Sequence, residues 1–338
     1  MAARSRRRST RDIYSSRLRH FASWCSGRDL DPTQAPLISV ADFFMHLFRS
    51  GLQVTTIRNY RSAIAAIHQG FADGSSISSN DAIHHLFRGM FTRSPPVKRL
   101  IPSWDLSAVL RLLAGPPFEP LSGASLLHVS IKLAFLLAVA TSRRGSELKA
   151  LSIDDGHMRW EPHGVRLVPA LGFLTKNQSA SFHPPEIFVP DITKHSGSAD
   201  DKPWCPVRTL KWYLARTKQL RGATSQLFIT TVRPHHAASR DTIARWIVSA
   251  IKFANVNWPS PPDNQTLRSI TAHDVRAVSA SWAFFRGVPM EDICKAACWK
   301  TPSTFTSCYL SDVLQRDSAH GRSVLAPPSA ESRSPTMH

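Results

Sequence analysis

Three segments of this chain carry side chains suited to chemistry at a charged oxygen centre: Thr141-Ser-Arg-Arg-Gly-Ser-Glu-Leu148, Ala272-His-Asp-Val-Arg276 and Trp299-Lys-Thr-Pro-Ser-Thr-Phe-Thr-Ser-Cys-Tyr309. A guanidinium stays charged and offers a planar fork that reaches two oxygens at once, which lysine cannot imitate. An indole supplies one N–H donor and no titrating proton, while a neutral imidazole can orient a group or move a proton. A phenol, with a reference pKa of about 10, becomes a nucleophile once neighbouring cations stabilise its anion. Each segment alone is weak evidence. His273 and Arg276 at i, i+3 share a helix face, and a structural histidine beside a surface arginine is the commoner origin of such a pair. Core packing is equally ordinary for Trp299. Arg143 and Arg144 compete for one role, since neighbours on a helix diverge by about 100° and only one can face a given group.

The elements that must hold these residues are legible from apolar spacing. Ile13, Tyr14, Leu18, Phe21, Trp24 and Cys25 recur at helical intervals, as do Val40, Phe43, Phe44, Leu47 and Phe48 before the stop at Gly51. A third helix, capped by Thr55 or Thr56, has Ile57, Tyr60, Ile64 and Ile67 on its apolar face, with Arg58 and Arg61 off it. A fourth spans 81–91. The stretch 92–103 holds Pro95, Pro96 and Pro102 with Arg93, Lys98 and Arg99, and reads as a basic linker. Beyond it, Ser103 caps a helix over 105–113, and a longer apolar helix runs to Ala140. Short β-type runs follow at 158–160, 165–169, 171–175 and 187–190, with turns at Pro162 to Gly164 and at 177–181, predicting a small antiparallel sheet. Helical patterns resume over 207–220, 242–253 and 275–285. The expected organisation is a basic tail (1–9), an all-α domain (10–93), the linker (94–103), a mixed α+β domain (104–316) and a Ser- and Pro-rich tail (317–338) that reads as disordered.

The chain has 338 residues, 42% of them hydrophobic, enough for two domains with real cores. Lys and Arg number 42 against 24 Asp and Glu, a formal charge of +18 that favours a polyanionic partner, nucleic acid first. A membrane is disfavoured, because the most apolar run, Leu126 to Ala140, contains His128 and Lys132 and is shorter than the roughly 20 residues a bilayer needs. No apolar stretch follows the basic residues Arg4 to Arg8, so no secretory signal is expected and the protein should stay inside the cell. Five cysteines in no regular framework predict reduced thiols. Cys294 and Cys298 read as small apolar helix residues rather than zinc ligands.

The order and spacing of the three segments resemble the tyrosine recombinase (phage integrase) family, over about residues 10 to 316. That family has a first-box arginine in Arg-x-Ser-Glu-Leu, a His-x-x-Arg box, then His or Trp ahead of a Tyr; Arg144, His273, Arg276, Trp299 and Tyr309 fill those slots. The place before Gly-Ser-Glu-Leu favours Arg144 over Arg143. Ser-Glu-Leu, Trp in the third slot and Trp204-Cys-Pro-Val-Arg208 look like the recombinases of DIRS-type retrotransposons and Crypton elements, which implies a eukaryotic host and a nuclear location, or a cytoplasmic one otherwise.

The resemblance implies an N-terminal core-binding domain and a catalytic domain that close around double-stranded DNA as a C. Four protomers would hold two duplexes, with Leu310, Val313 and Leu314 docking on a neighbour. Arg144 and Arg276 would stabilise the charge that builds on two non-bridging phosphate oxygens. Trp299 would donate to the phosphate, and His273 would orient it or help deprotonate Tyr309. Family members protonate the leaving 5′ oxygen with a lysine in a turn between sheet strands, where Lys176 stands. Tyr309 would form a 3′-phosphotyrosyl intermediate; the other tyrosines, Tyr14, Tyr60 and Tyr213, read as apolar-face residues. No Gly-rich phosphate loop, Walker lysine or paired metal-binding carboxylates accompany these residues, so neither ATP nor metal is expected. Arg58, Arg61, Arg93, Lys98 and Arg99 are the candidates for DNA phosphate contacts, with a solvated surface as the plain alternative. Rival functions are a type IB topoisomerase and a catalytically silent DNA-binding relic of a mobile element.

Overall fold

The computed structural model describes residues 8–95, 102, 104–176, 178, 182, 185–256 and 270–313. Lys98, Arg99, Leu314, the tail 317–338 and most of the expected turn at 177–181 lie outside them. The chain is mainly α with one small antiparallel sheet, and it divides into two compact units, Met1–Lys98 and Arg99–His338.

The first unit contains α1 (Arg8–Ser26), α2 (Leu37–Arg49), α3 (Val54–Ile64) and α4 (Asp81–Arg93). Helix α1 thus starts inside the stretch expected to be a tail. The apolar faces meet in a core where Phe21, Phe43, Phe44, Ile57 and Ile64 are fully buried, each contributing about 1.5–3 kcal/mol. Phe43 is its centre, with ring centroids 4.9 Å from Phe21, 5.4 Å from Trp24 and 5.9 Å from Tyr60. Helix α3 starts earlier than Thr55 or Thr56 would cap it: Gln53 is the extended N-cap residue, and Val54 is drawn into the core at the first turn. The helix accordingly ends at Ile64, which leaves Ile67 outside it and exposed. Asn80 caps α4 by accepting from Ile83 N–H at 3.2 Å.

The second unit opens with α5 (Leu106–Leu113), α6 (Leu126–Thr141) and α7 (Gly145–Lys149). Asp105, not Ser103, caps α5, its carboxylate accepting from Ser107 N–H at 2.8 Å. Helix α6 is apolar on nearly every face and runs through the middle of the core, as its pattern requires. Its one buried cation, Lys132, donates to Leu113 C=O at 2.8 Å and to Glu119, which Arg208 also grips at 2.6 and 3.1 Å. Strands β1 (Met158–Glu161), β2 (Gly164–Leu167) and β3 (Ile187–Pro190) form the sheet in that order. The β1–β2 register closes on Glu161 opposite Gly164, where a Cβ would meet Val189 O at 2.3 Å, so the close approach requires glycine. The expected strand over 171–175 does not form: Gly172 takes a φ of +79°, and the segment turns within the connection from β2 to β3.

Next come α8 (Ile192–Ser196), a short 3-10 helix (Ala199–Trp204) and α9 (Pro206–Thr217). Trp204-Cys-Pro-Val-Arg208 is structural in this setting. Trp204 Nε1 donates to Leu110 C=O at 2.8 Å, Cys205 Sγ caps α9, and Arg208 serves Glu119. Helix α10 (Arg240–Val256) packs on α6 and α7, followed by α11 (Ala272–Phe285), α12 (Met290–Ala297) and α13 (Pro302–Cys308).

Candidate active site

The site begins where α6 stops. Ser142 adopts a left-handed conformation, φ +48°, and turns the chain out of the helix. Arg143 and Arg144 therefore lie in an extended crossing to α7, not on a helix, so the helix-face argument for choosing between them does not apply. Alternation along extended chain separates them instead. Arg143 is buried and donates through Nη2 to Pro185 C=O at 3.3 Å and Lys295 C=O at 3.5 Å. Arg144 is the more open: its Nη1 reaches Glu147 Oε1 at 3.1 Å, with 15% of the side chain exposed. Glu147, almost wholly buried on α7, also accepts from Arg144 N–H at 3.3 Å and lies 3.9 Å from Arg143 Nη1. No role was read for Glu147 from the sequence; its i, i+3 spacing from Arg144 was the available signal.

Arg276 projects from the first turns of α11 and is 1% exposed. Nη1 donates to Ser142 C=O at 2.6 Å and Nη2 to Ala297 C=O, so one guanidinium joins the end of α6 to the end of α12. Ser142 Oγ bonds Ser279 Oγ at 2.8 Å and braces the same junction. Burial, with Arg144's charge next, lowers the Arg276 pKa to about 10, and the residue remains a cation at neutral pH. Its Nε has no hydrogen-bond partner among the described residues.

Cys298, at φ +52°, ends α12 and turns Trp299 inward, where it is 3% exposed. The Arg276 guanidinium lies 4.6 Å from the Trp299 ring centre and 5.5 Å from that of Tyr309. Trp299 packs on Phe305, so the core reading holds, yet its Nε1 is buried without a partner among the described residues. Both readings of Trp299 are compatible in one side chain. Tyr309 follows α13 and is half-buried, its ring 4.7 Å from Trp299 and 5.2 Å from His273. Ser281 Oγ on α11 donates to Tyr309 C=O at 3.3 Å and accepts from Ser311 N–H at 3.0 Å. Leu310 and Val313, expected to dock on a neighbour, pack against their own unit.

The His273 ring reaches solvent, but its pKa is held below the ordinary value, first by desolvation, then by the charges of Arg276 and Arg144, with Asp274 opposing and Lys176 adding. Lys176 is exposed in the β2–β3 connection, within electrostatic reach of His273. His273, Arg276, Trp299 and Tyr309 thus form one contact cluster, bordered by Arg144 and Lys176.

The other cationic candidates belong to the first unit. Arg58 is exposed on α3. Arg61 is half-buried 5.3 Å over the Phe87 ring, and its pKa is lowered by burial and by Arg58, so it packs as well as carries charge. Arg93 is the exposed last residue of α4 rather than part of a linker.

No family model matches the sequence, and no curated relative does. Solved structures do match. A lambda integrase tetramer bound to a Holliday junction aligns with a TM-score of 0.55 at 16% identity, over 94% of this chain and 75% of that one. The Tn1549 transposon integrase with transposon right end DNA gives a TM-score of 0.55 at 12% identity, over 94% and 99%. The XerH site-specific recombinase bound to its difH substrate gives 0.50 at 13%, over 80% of this chain and 66% of that one, about two thirds of its length. The fold is that of the tyrosine recombinases. At such low identity the likeness carries the tyrosine recombinase fold alone, and the chemistry rests on the residues described above. Among the described residues no three His, Cys, Asp or Glu side chains gather as a metal site, and no helix is long and apolar enough to cross a membrane.

Proposed function

We propose that this chain is a site-specific DNA recombinase or integrase of a mobile element, which cuts and rejoins double-stranded DNA through Tyr309 without ATP or metal. The observation that carries this reading is the contact of Tyr309 with Arg276, Trp299 and His273, in a cluster holding two buried donors, Arg276 Nε and Trp299 Nε1, without partners among the described residues. Buried unsatisfied donors are costly, about 1–3 kcal/mol each, and a phosphate oxygen would satisfy them. In the proposed step the Tyr309 oxygen attacks phosphorus, His273 takes the phenol proton, and the bond to the 5′ oxygen breaks. Lys176 protonates that leaving oxygen. Arg144 and Arg276 stabilise the charge on the non-bridging oxygens. The phosphotyrosyl bond keeps the energy of the original linkage, so a new 5′ hydroxyl can reverse the reaction on another strand.

A net charge of +18 supports a DNA partner. Arg58, Arg61 and Arg93 would contact phosphates from the first unit, the core-binding domain of this reading, and four protomers would hold two duplexes. The Ser-Glu-Leu box and Trp299 support an origin among DIRS-type or Crypton elements, and hence a nuclear site of action.

The test is a nicked duplex whose short 5′-hydroxyl fragment diffuses away after cleavage, incubated in EDTA with wild type and with Tyr309→Phe. Wild type accumulates a denaturant-stable adduct that maps to Tyr309, and the variant binds equally but forms none. An adduct in Tyr309→Phe, or cleavage that stops in EDTA, contradicts the mechanism. Relaxation of supercoils without strand exchange identifies a topoisomerase instead.

A further inference from the structure

We propose that Arg143 is a positioning residue for Lys176, tying the β2–β3 connection to the framework that holds the rest of the site. This inference rests on the recombinase reading and on the role given there to Lys176. One guanidinium joins three separate stretches of chain: Pro185 C=O in the connection at 3.3 Å, Lys295 C=O in α12 at 3.5 Å, and Glu147 in α7 at 3.9 Å. Two of these anchors belong to the machinery already described. Glu147 holds Arg144, and Lys295 lies two residues before Ala297, whose carbonyl holds Arg276. The third, Pro185, belongs to the connection that carries Lys176.

Arg143 and Glu147 line a pocket of about 210 Å³ together with Phe173, Thr175, Gln178, Pro185 and Glu186 of that connection. Chain that lines a pocket makes fewer dispersion contacts than fully packed chain, so the direct bond from Arg143 to Pro185 has added weight in holding the connection. Thr175 is covalently joined to Lys176, and any drift of the cavity wall moves the lysine. A misplacement of about 1 Å costs on the order of 100-fold in rate. Arg143 Nε is itself buried without a partner among the described residues, and only 3% of the side chain is exposed. Burying a guanidinium costs several kcal/mol unless its partners offset it. Packing alone would be served as well by an apolar side chain.

The test compares full-length wild type with Arg143→Met and Arg143→Gln on two DNA substrates. One has the natural 5′ oxygen leaving group and the other has sulfur there, which leaves as a thiolate and needs no proton. Both variants should bind DNA as wild type does, cleave the oxygen substrate on the order of 100-fold more slowly, and cleave the sulfur substrate at the wild-type rate. Equal slowing on both substrates assigns Arg143 to the phosphate or to general architecture, and refutes the positioning role. Wild-type rates on both refute it as well. The Met variant keeps the buried volume; if it and the Gln variant both lack a cooperative thermal transition, Arg143 is a residue of the fold and the proposal fails. A wild type that forms no Tyr309 adduct on either substrate sinks the recombinase reading, and this inference with it, whereas the other failures leave that reading intact.

Discussion

The rings of Trp299 and Tyr309 lie 4.7 Å apart at a tilt of 38°, and the same indole carries the Arg276 guanidinium 4.6 Å from its centre. Tyr309, the nucleophile of the proposed reaction, and the buried cation therefore both pack on one side chain. Its N–H and its ring can be separated by mutation. Trp299→Phe keeps an aromatic surface against Phe305 and Tyr309 but removes the donor. Cleavage should fall by on the order of 10²–10³ with DNA affinity unchanged. Trp299→Ala should in addition lose about 3–5 kcal/mol of stability. Thermal melts and single-turnover cleavage distinguish the two effects, and a Phe variant with wild-type cleavage would leave Trp299 a packing residue only.

The two candidate arginines should respond differently to the same replacement. Arg144→Lys removes a fork from a partly open position, and the expected loss is about 2.7–4 kcal/mol in the transition state with little change in melting. Arg276→Lys removes a bolt as well as a fork, because Ser142 and Ala297 both accept from Arg276. A single ammonium cannot serve both carbonyls and the phosphate, so folding stability should fall by about 1–3 kcal/mol alongside the rate. Equal melting curves for the two variants count against this division of labour.

Acid should expose His273. Its folded pKa lies below the usual value of about 6.5, through desolvation and then the charges of Arg276, Arg144 and Lys176. Between those two values the unfolded chain binds more protons at this site than the folded protein does. The stability drawn from neutral His273 is thus complete above about pH 6.5 and is lost as pH falls through the folded value. If His273 is the base, the acid limb of kcat/KM for cleavage lies below about 6.5. His273→Gln should slow the reaction and abolish that limb; a limb that survives the substitution belongs to another group.

The DNA binding proposed for the first unit should weaken with salt. Each phosphate contact removed should reduce the slope of log affinity against log salt by about 0.9. Arg58→Ala and Arg93→Ala remove exposed charges and should do this without altering stability. Arg61→Ala also uncovers the Phe87 ring, so its melting temperature should drop as well. Filter binding at four salt concentrations checks the slopes, and an unchanged slope in all three variants rules these residues out as phosphate contacts.

Much of the fold was legible because apolar spacing reports which face of a helix is buried, and the first three helices follow from residues such as Phe21, Phe43 and Ile57. Of the ordered residues, His273, Arg276, Trp299 and Tyr309 are brought into one contact cluster, with Arg144 at its border. What stayed hidden depends on contacts between residues far apart in sequence. The place before Gly-Ser-Glu-Leu favoured Arg144, but the anchoring of Arg143 rests on carbonyls at Pro185 and Lys295, 42 and 152 residues away. The Leu171 to Thr175 run has β-type composition, yet Gly172 at φ +79° turns the chain before any pairing. The start of α3 was misplaced because burial of Val54 outweighs the capping preference of the threonines beside it.

Ser281 links the peptide of Tyr309 and Ser311 to α11, the helix that also bears His273 and Arg276. In the proposed reaction each subunit consequently holds both halves of the chemistry within its own chain. In genetic terms, lesions in the two halves behave as a single complementation group. An oligomer mixed from R276K and Y309F subunits contains no member with an intact set, and adding one mutant protein to the other restores no cleavage.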